Sequence, residues 1–317
     1  MLPLAIFGIE SSGLSLAIDL LLLFLVVLYG AFIAVLWKIG LSFGLIVVIA
    51  VAFLFAQYWF ADKIALWGMH GRIVTPEEAP ELHGAIDRLC ALADMPKPRV
   101  AIADTDVPNA FATGRSPKAA VVCATTGLLR RLDEPEIEAV LAHELSHVAH
   151  RDVAIMTIAS SLGVAAGLMT RAVFYATMFG GGGRGGGNNQ SGQQVVLVEM
   201  GIMVVSIVVY AISFLLTRAL SRYRELAADR SGALLIGRPS TLASALVKIT
   251  GEMSRIPTND LRKAEAFNAF FFTPAIAQPR QGERQGLSLG SLFSTHPTLE
   301  RRLAQLSELE SELNTPR

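Results

Sequence analysis

Four long apolar runs constrain this chain more than any other feature. Leu14 to Trp37 holds one charge, Asp19, and Ile39 to Phe60 holds none. Each is long enough to cross a bilayer, which takes about 20 helical residues. Only Lys38 separates them, so they are expected to form a helical hairpin. The flank of the first run is acidic (Glu10, Asp19) and no small-residue cleavage site follows, which argues against a signal peptide. Val153 to Phe179 and Val195 to Thr217 form a second pair, interrupted by Arg171 and Glu199. In a hairpin both charges fall at the same far end, where they pair or snorkel. Gly163 and Gly167 offer a small-residue face for close helix contact. A buried soluble helix pair is the alternative for these two runs.

Composition agrees. Hydrophobic residues make up 52% and charged residues 17%, well under the roughly 25% charge of a soluble domain. The 27 basic and 27 acidic residues cancel, which leaves no electrostatic case for nucleic acid as a partner. Cys90 and Cys123 are too few for a disulfide framework and read as buried reduced thiols. Arg151 precedes the third run and Arg218, Arg222 and Arg224 follow the fourth, against Lys38 and Arg184 on the opposite side. The positive-inside rule then puts the polar segments in the cytoplasm.

Those polar segments carry the chemistry. His143-Glu144-Leu145-Ser146-His147 reads H-E-x-x-H. Asp133, Pro135 and Glu136 mark a helix start just before it, and Ile137, Leu141, Leu145 and Val148 supply an anchoring apolar stripe. On a helix, residues i and i+4 share a face, so His143 and His147 can hold one ion while Glu144 faces its bound water. This is the arrangement of a zinc hydrolase. A catalytic zinc takes three protein ligands. The candidate third ligand is Glu225, and Asp229, one turn on, can fix the tautomer of a ligating histidine. Taken alone, Glu225 and Asp229 also fit a solvated helix face.

The remaining segments are expected as follows. A helix opens at Thr75-Pro76-Glu77-Glu78 and runs to about Ala93. Short strands occupy Arg99 to Ala103, Asn109 to Thr113 and Ala119 to Thr125, with a turn over Gly114 to Lys118. Helices cover Arg218 to Ile236, Leu242 to Met253 and Pro297 to Leu313. Gly180 to Gln194 is a flexible linker, and Asn259 to Gly290 a mobile loop. His70, His83 and His150 are surface or helix-face residues rather than ligands.

His143-Glu144-x-x-His147 followed by Glu225-x-x-x-Asp229 resembles the zinc peptidase family that includes HtpX and the CAAX prenyl proteases. Pro108-Asn109-Ala110-Phe111-Ala112-Thr113-Gly114, Ser294-Thr295-His296-Pro297 and the four runs narrow the likeness to the HtpX branch. It spans about Phe53 to Leu306; the first fifty residues match by hydropathy only. The resemblance implies a mainly α fold with a small antiparallel β-sheet, a membrane-anchored zincin-like domain carrying two transmembrane hairpins. The domain plan is then 1–61 (first hairpin), 62–152 (first part of the catalytic domain), 153–217 (second hairpin, linker 180–194) and 218–317 (second part).

By the same resemblance Glu144 is the general base, and His296 and Arg302 stabilise the oxyanion; a helix cap and a surface arginine are the plain alternative. Asn109, Ala110, Phe111, Ala112 and Thr113 bind substrate as an edge strand, or form an ordinary core strand. The expected cofactor is one Zn2+. The expected partners are the lipid bilayer and membrane proteins as substrates, in bacterial cytoplasmic-membrane quality control. His147 stands about six residues before the third run and Glu225 about eight after the fourth, which puts the ion roughly 10 Å above the membrane face. A membrane scaffold or chaperone with a structural metal, and a prenyl-protein processing enzyme, are the competing readings.

Overall fold

The computed structural model describes residues 58–157, 190–253 and 295–315, with single positions among 20–56 and 159–170. Two compact units divide the chain. The first takes in Tyr58–Ile155 and Arg218–Arg317, the second Ile18–Gln57 and Met156–Thr217.

The first unit begins with α1 (Ala61–Gly68), β1 (Gly71–Ile73) and α2 (Pro80–Leu92). Then come β2 (Arg99–Ala103), β3 (Ala110–Thr113), β4 (Val121–Thr125), α3 (Thr126–Arg131) and α4 (Glu134–Ala149). After α5 (Gln190–Ile236), α6 (Pro239–Met253) and α7 (Leu299–Asn314) complete it. Its core packs Ile86 and Leu89 of α2, the strand residues Val100, Val121 and Val122, Leu141 and Leu145 of α4, Leu246 and Ile249 of α6, and Leu306 of α7.

The sheet order is β1-β2-β4-β3, and the sheet is mixed rather than antiparallel as expected. β3 and β4 form a hairpin and are antiparallel. β3 reverses the direction of β2 and β4 reverses it again. When β4 inserts beside β2 the pair must run parallel, with Val100 opposite Val122. The hairpin turn needs Gly114, at φ 126°; a Cβ there would meet the Ala119 carbonyl oxygen at 2.6 Å. β1, absent from the sequence expectation, adds an antiparallel strand outside β2.

The helix expected from Thr75 begins instead at Pro80. Glu78 does accept from the Thr75 amide at 2.9 Å, but only a turn forms. The residue before a proline avoids the α region, and Ala79 sits at φ −143°, ψ 64°. The start of α4 is as expected: Asp133 and Glu136 form a capping box. Glu136 also accepts from Ser244 at 2.7 Å and Lys248 at 2.8 Å, which ties α6 to the head of α4.

α5 begins at Gln190, so the last residues of the expected 180–194 linker are helical. From Met200 it is the one helix, among the described residues, long and apolar enough to cross a membrane. In the second unit, a Cβ on Gly163 would lie 3.5 Å from the Ser213 side chain, and one on Gly167 3.5 Å from the Tyr210 ring. The Thr217 hydroxyl donates to the Ala159 carbonyl at 3.2 Å. The small-residue face is thus a helix contact. Most of the first hairpin, the Arg171–Glu199 pairing, residues 180–189 and the loop 259–290 lie outside the described residues.

Candidate active site

α4 delivers His143, Glu144 and His147. Leu141, Leu145 and Ala142 are completely buried, so the helix is held on one side and its imidazoles project from the other. The two Nε2 atoms approach to 3.1 Å. Glu225 of α5 completes the cluster, with Oε1 3.4 Å from His147 Nε2 and Oε2 3.8 Å from His143 Nε2.

The outer ring nitrogens are each held by a carboxylate. His143 Nδ1 lies 2.9 Å from Asp229 Oδ1, and His147 Nδ1 lies 2.5 Å from Asp152 Oδ2. A carboxylate accepts and does not donate, so both Nδ1 atoms carry hydrogen and both Nε2 atoms face one spot, each offering a lone pair there in its neutral form. Two lone pairs and a carboxylate converging in a buried space call for a cation. The spacing fits as well: with arms of about 2.0–2.1 Å, donors around a tetrahedral ion stand about 3.3 Å apart. His143, His147 and Glu225 therefore suit a divalent metal ion. Burial pulls the His147 pKa down, yet hydrogen bonds to Asp152 and Glu225 overcome this and lift it to about 10. The same demand for positive charge is visible there. Burial holds His143 below its ordinary value.

Glu144 is 4% exposed. Burial pushes its carboxyl up to about 8, with the Glu225 charge adding and His147 and the Ala112 amide opposing. A dication beside it favours the ionised form.

β3 is an edge of the sheet. Thr125 donates its amide to the Asn109 carbonyl at 2.9 Å. The pairing alternates, so Asn109, Phe111 and Thr113 turn their main chain toward β4, while Ala110 and Ala112 turn theirs to the open edge. The Ala112 amide donates to Glu144. Asn109, Phe111 and Thr113 are buried, and Ala112 is half-buried.

Arg302 is 2% exposed and forks onto Asp229, Nε to Oδ2 and Nη2 to Oδ1, both at 2.6 Å. Its Nη1 stands 3.9 Å from Glu225 Oε2. His296 is buried with Nδ1 3.2 Å from Glu225 Oε2. The structure thus brings His143, Glu144, His147, Glu225, Asp229, His296 and Arg302 into one cluster. His83 is buried on α2 against the Val74 carbonyl, 3.1 Å away, outside that cluster.

Three residues escaped the sequence reading. Asp152 lies past the end of α4, and Arg151, in the left-handed region at φ 56°, turns the chain so that Asp152 comes back to His147. Arg224 forms an ion pair with Asp152. Gly232 packs on the backbone of α4. The five-residue step from His147 to Asp152 was the one available signal.

The sequence pattern of peptidase family M48 matches residues 76–310. The chain is 58% identical over 286 residues to Protease HtpX homolog 1 of Streptomyces coelicolor, covering 90% of this chain and 89% of that one. It is 50% identical over 308 residues to the Protease HtpX homolog of Moorella thermoacetica, covering 97% and 98%. The fold resembles the crystal structure of S. mikatae Ste24p, with a TM-score of 0.55 at 18% identity over 88% of this chain and 62% of that one. With two imidazoles, a carboxylate and a neighbouring glutamate in place, the chain belongs to peptidase family M48 and is a metalloprotease that hydrolyses peptide bonds.

Proposed function

We propose that this protein is a zinc endopeptidase of the bacterial cytoplasmic membrane. It is anchored by two helical hairpins, with its catalytic unit in the cytoplasm, and it cleaves damaged or misassembled membrane proteins. The observation that carries the reading is the convergence of the His143 and His147 Nε2 atoms on Glu225, with Glu144 next in sequence. The three ligands found among the described residues would leave a coordination position open, as catalysis needs and a closed four-ligand structural site does not provide.

His143, His147 and Glu225 would hold the zinc, which would supply the Lewis acidity to acidify a water and polarise a carbonyl. Glu144 takes the proton of the attacking water and passes it to the departing amine. The open edge of β3 offers the main-chain groups of Ala110 and the carbonyl of Ala112 to an extended substrate, with little side-chain selectivity. That suits unfolded segments. Asp229 and Asp152 orient the two imidazoles. Arg302, with its fork on Asp229, acts chiefly through that residue. We assign transition-state contact to His296, and expect His296→Ala to lower kcat about 10²–10³-fold.

The test is proteolysis of a detergent-solubilised, unfolded membrane protein by wild type and Glu144→Gln, each with chelator and with zinc restored. Wild type is expected to cut with zinc and stop with chelator, while Glu144→Gln binds zinc and does not cut. Cleavage by Glu144→Gln at the wild-type rate overturns the mechanism.

A further inference from the structure

α1 wears its apolar face outward. Asp62, Ala65 and Met69 are buried, and the helix packs on β1 and β3. Phe60, Ile64 and Trp67 fall at i, i+4 and i+7, one stripe of a helix. They are exposed, Trp67 at 81%, and Trp59 beside them is exposed too. The charges on this face are basic. The Lys63 ammonium stands 5.6 Å from the Phe60 ring centre, and the Arg115 guanidinium lies 4.1 Å over Trp59. The acid on the helix, Asp62, points inward to Arg99 at 2.6 Å.

Chain position identifies the neighbour. Phe60 is the last residue of the uncharged run Ile39 to Phe60, and the argument rests on the reading of that run as a membrane crossing. Directly past such a crossing the chain is at headgroup depth. There indole rings are favoured, and lysine and arginine bury their stems while keeping their charge among phosphates. An apolar stripe flanked by cations is the chemistry of a helix lying in an anionic lipid surface.

We propose that the outer face of α1, with Trp59, Lys63 and Arg115, lies in the headgroup layer of an anionic phospholipid bilayer. The docking reaches the substrate strand. Arg115 belongs to the turn joining β3 to β4, and the Tyr58 hydroxyl donates to its carbonyl at 2.7 Å. The membrane surface thereby holds the hairpin whose open edge receives substrate, and favours polypeptide emerging beside the lipid.

The chain has three tryptophans, Trp37, Trp59 and Trp67, which allows a direct test on the full protein. It is placed in nanodiscs of phosphatidylcholine and phosphatidylglycerol whose acyl chains carry bromine either near the carbonyl end or near the methyl end. In Trp37→Phe/Trp59→Phe, the Trp67 emission is expected to be quenched several-fold more by shallow bromine than by deep bromine, and to be shielded from iodide. Lys63→Glu/Arg115→Glu in that background should restore iodide quenching. In Trp59→Phe/Trp67→Phe, bromolipid quenching of Trp37 reports the hairpin itself. If Trp37 is quenched by lipid while Trp67 is quenched only by iodide, the surface faces water and the proposal falls. If Trp67 is quenched by neither, protein covers it and the proposal falls. If Trp37 is untouched by lipid, the crossing falls first. A nitroxide on Ile64→Cys, with all tryptophans retained and Cys90 and Cys123 buried, repeats the depth measurement should the tryptophan variants not fold. Contact with oxygen rather than with a water-soluble nickel chelate supports docking, and the reverse overturns it.

Discussion

Gly232 and His143 meet backbone to backbone. A methyl group on Gly232 would stand 2.8 Å from the His143 amide nitrogen and 2.9 Å from its Cα. Glu225, Asp229 and Gly232 occupy i, i+4 and i+7 of α5, so a single helix face carries a ligand, the residue that holds a second ligand, and the spacer that lets both reach α4. No rotamer change relieves a clash between backbones. Gly232→Ala is therefore expected to push the helices apart, weaken zinc binding at least about 10-fold and cost about 1–3 kcal/mol of stability. Competition with a fluorescent zinc chelator and thermal unfolding measure the two effects. Gly251→Ala is the control, since nothing lies within 4 Å of its added methyl; it should gain about 0.5–1 kcal/mol.

Asp152 is expected to matter through His147 rather than through substrate. It holds Nδ1 at 2.5 Å and is itself paired with Arg224. Opposing the burial that would raise its pKa, Arg224 and His147 keep Asp152 well below the ordinary carboxylate value. Asp152→Ala should weaken metal binding about 10–100-fold. Asp152→Asn, which still offers an oxygen to Nδ1–H, should recover part of it. Visible spectra of the cobalt-substituted protein follow ligand geometry independently of turnover. A spectrum and an affinity unchanged in Asp152→Ala would rule the role out.

The ends of this site differed in how openly the sequence displayed them. His143, Glu144 and His147 were legible because one helix turn sets their spacing and an N-terminal capping box announces the helix. Glu225 and Asp229 required two separate segments to be brought together, which periodicity does not report; the family resemblance supplied the link. Asp152 was hidden by Arg151, whose left-handed backbone no residue type signals except glycine or asparagine. The parallel pairing of β2 with β4 was hidden for a similar reason. Local alternation marks a strand, whereas strand order depends on contacts across the chain.

The buried pair Arg302–Asp229 gives a stability prediction. Both groups are within 2% of complete burial, and their two 2.6 Å bonds satisfy each other. Removing one partner strands the other charge, so Arg302→Met should cost about 3–5 kcal/mol. Asp229→Asn added to Arg302→Met removes the stranded charge and should return about 1–2 kcal/mol, while leaving metal affinity weakened. Denaturant midpoints of the single and double variants decide it; a double variant less stable than Arg302→Met would contradict the pairing.

Metal loading should release protons. In the metal-free chain His147 holds a proton up to about pH 10 and Glu144 up to about 8. A coordinated imidazole is neutral and a dication ionises an adjacent carboxyl. Near pH 7 wild type is expected to release about two protons per zinc, and Glu144→Gln about one. Calorimetry in buffers of different ionisation enthalpy counts them. Equal counts in the two proteins would show that Glu144 does not change its protonation when metal binds, and would overturn this account.

Glu144 also fixes the sign of a pH effect on stability. Its metal-free folded pKa, about 8, exceeds the ordinary 4.5. Between those values the folded chain keeps a proton that the unfolded chain has lost. Stability from this group is therefore present below about pH 4.5, falls as pH rises, and levels off above about 8. Glutamine has no such dependence. Metal-free Glu144→Gln should gain on wild type as pH climbs through that window, by about 1.4 kcal/mol per pH unit. Zinc should shrink the difference, because the cation stabilises the ionised carboxyl that burial disfavours. Thermal midpoints from pH 5 to pH 9, with and without metal, test this. A gap that closes on raising the pH, or that widens when zinc is added, would mean that burial does not govern this carboxyl.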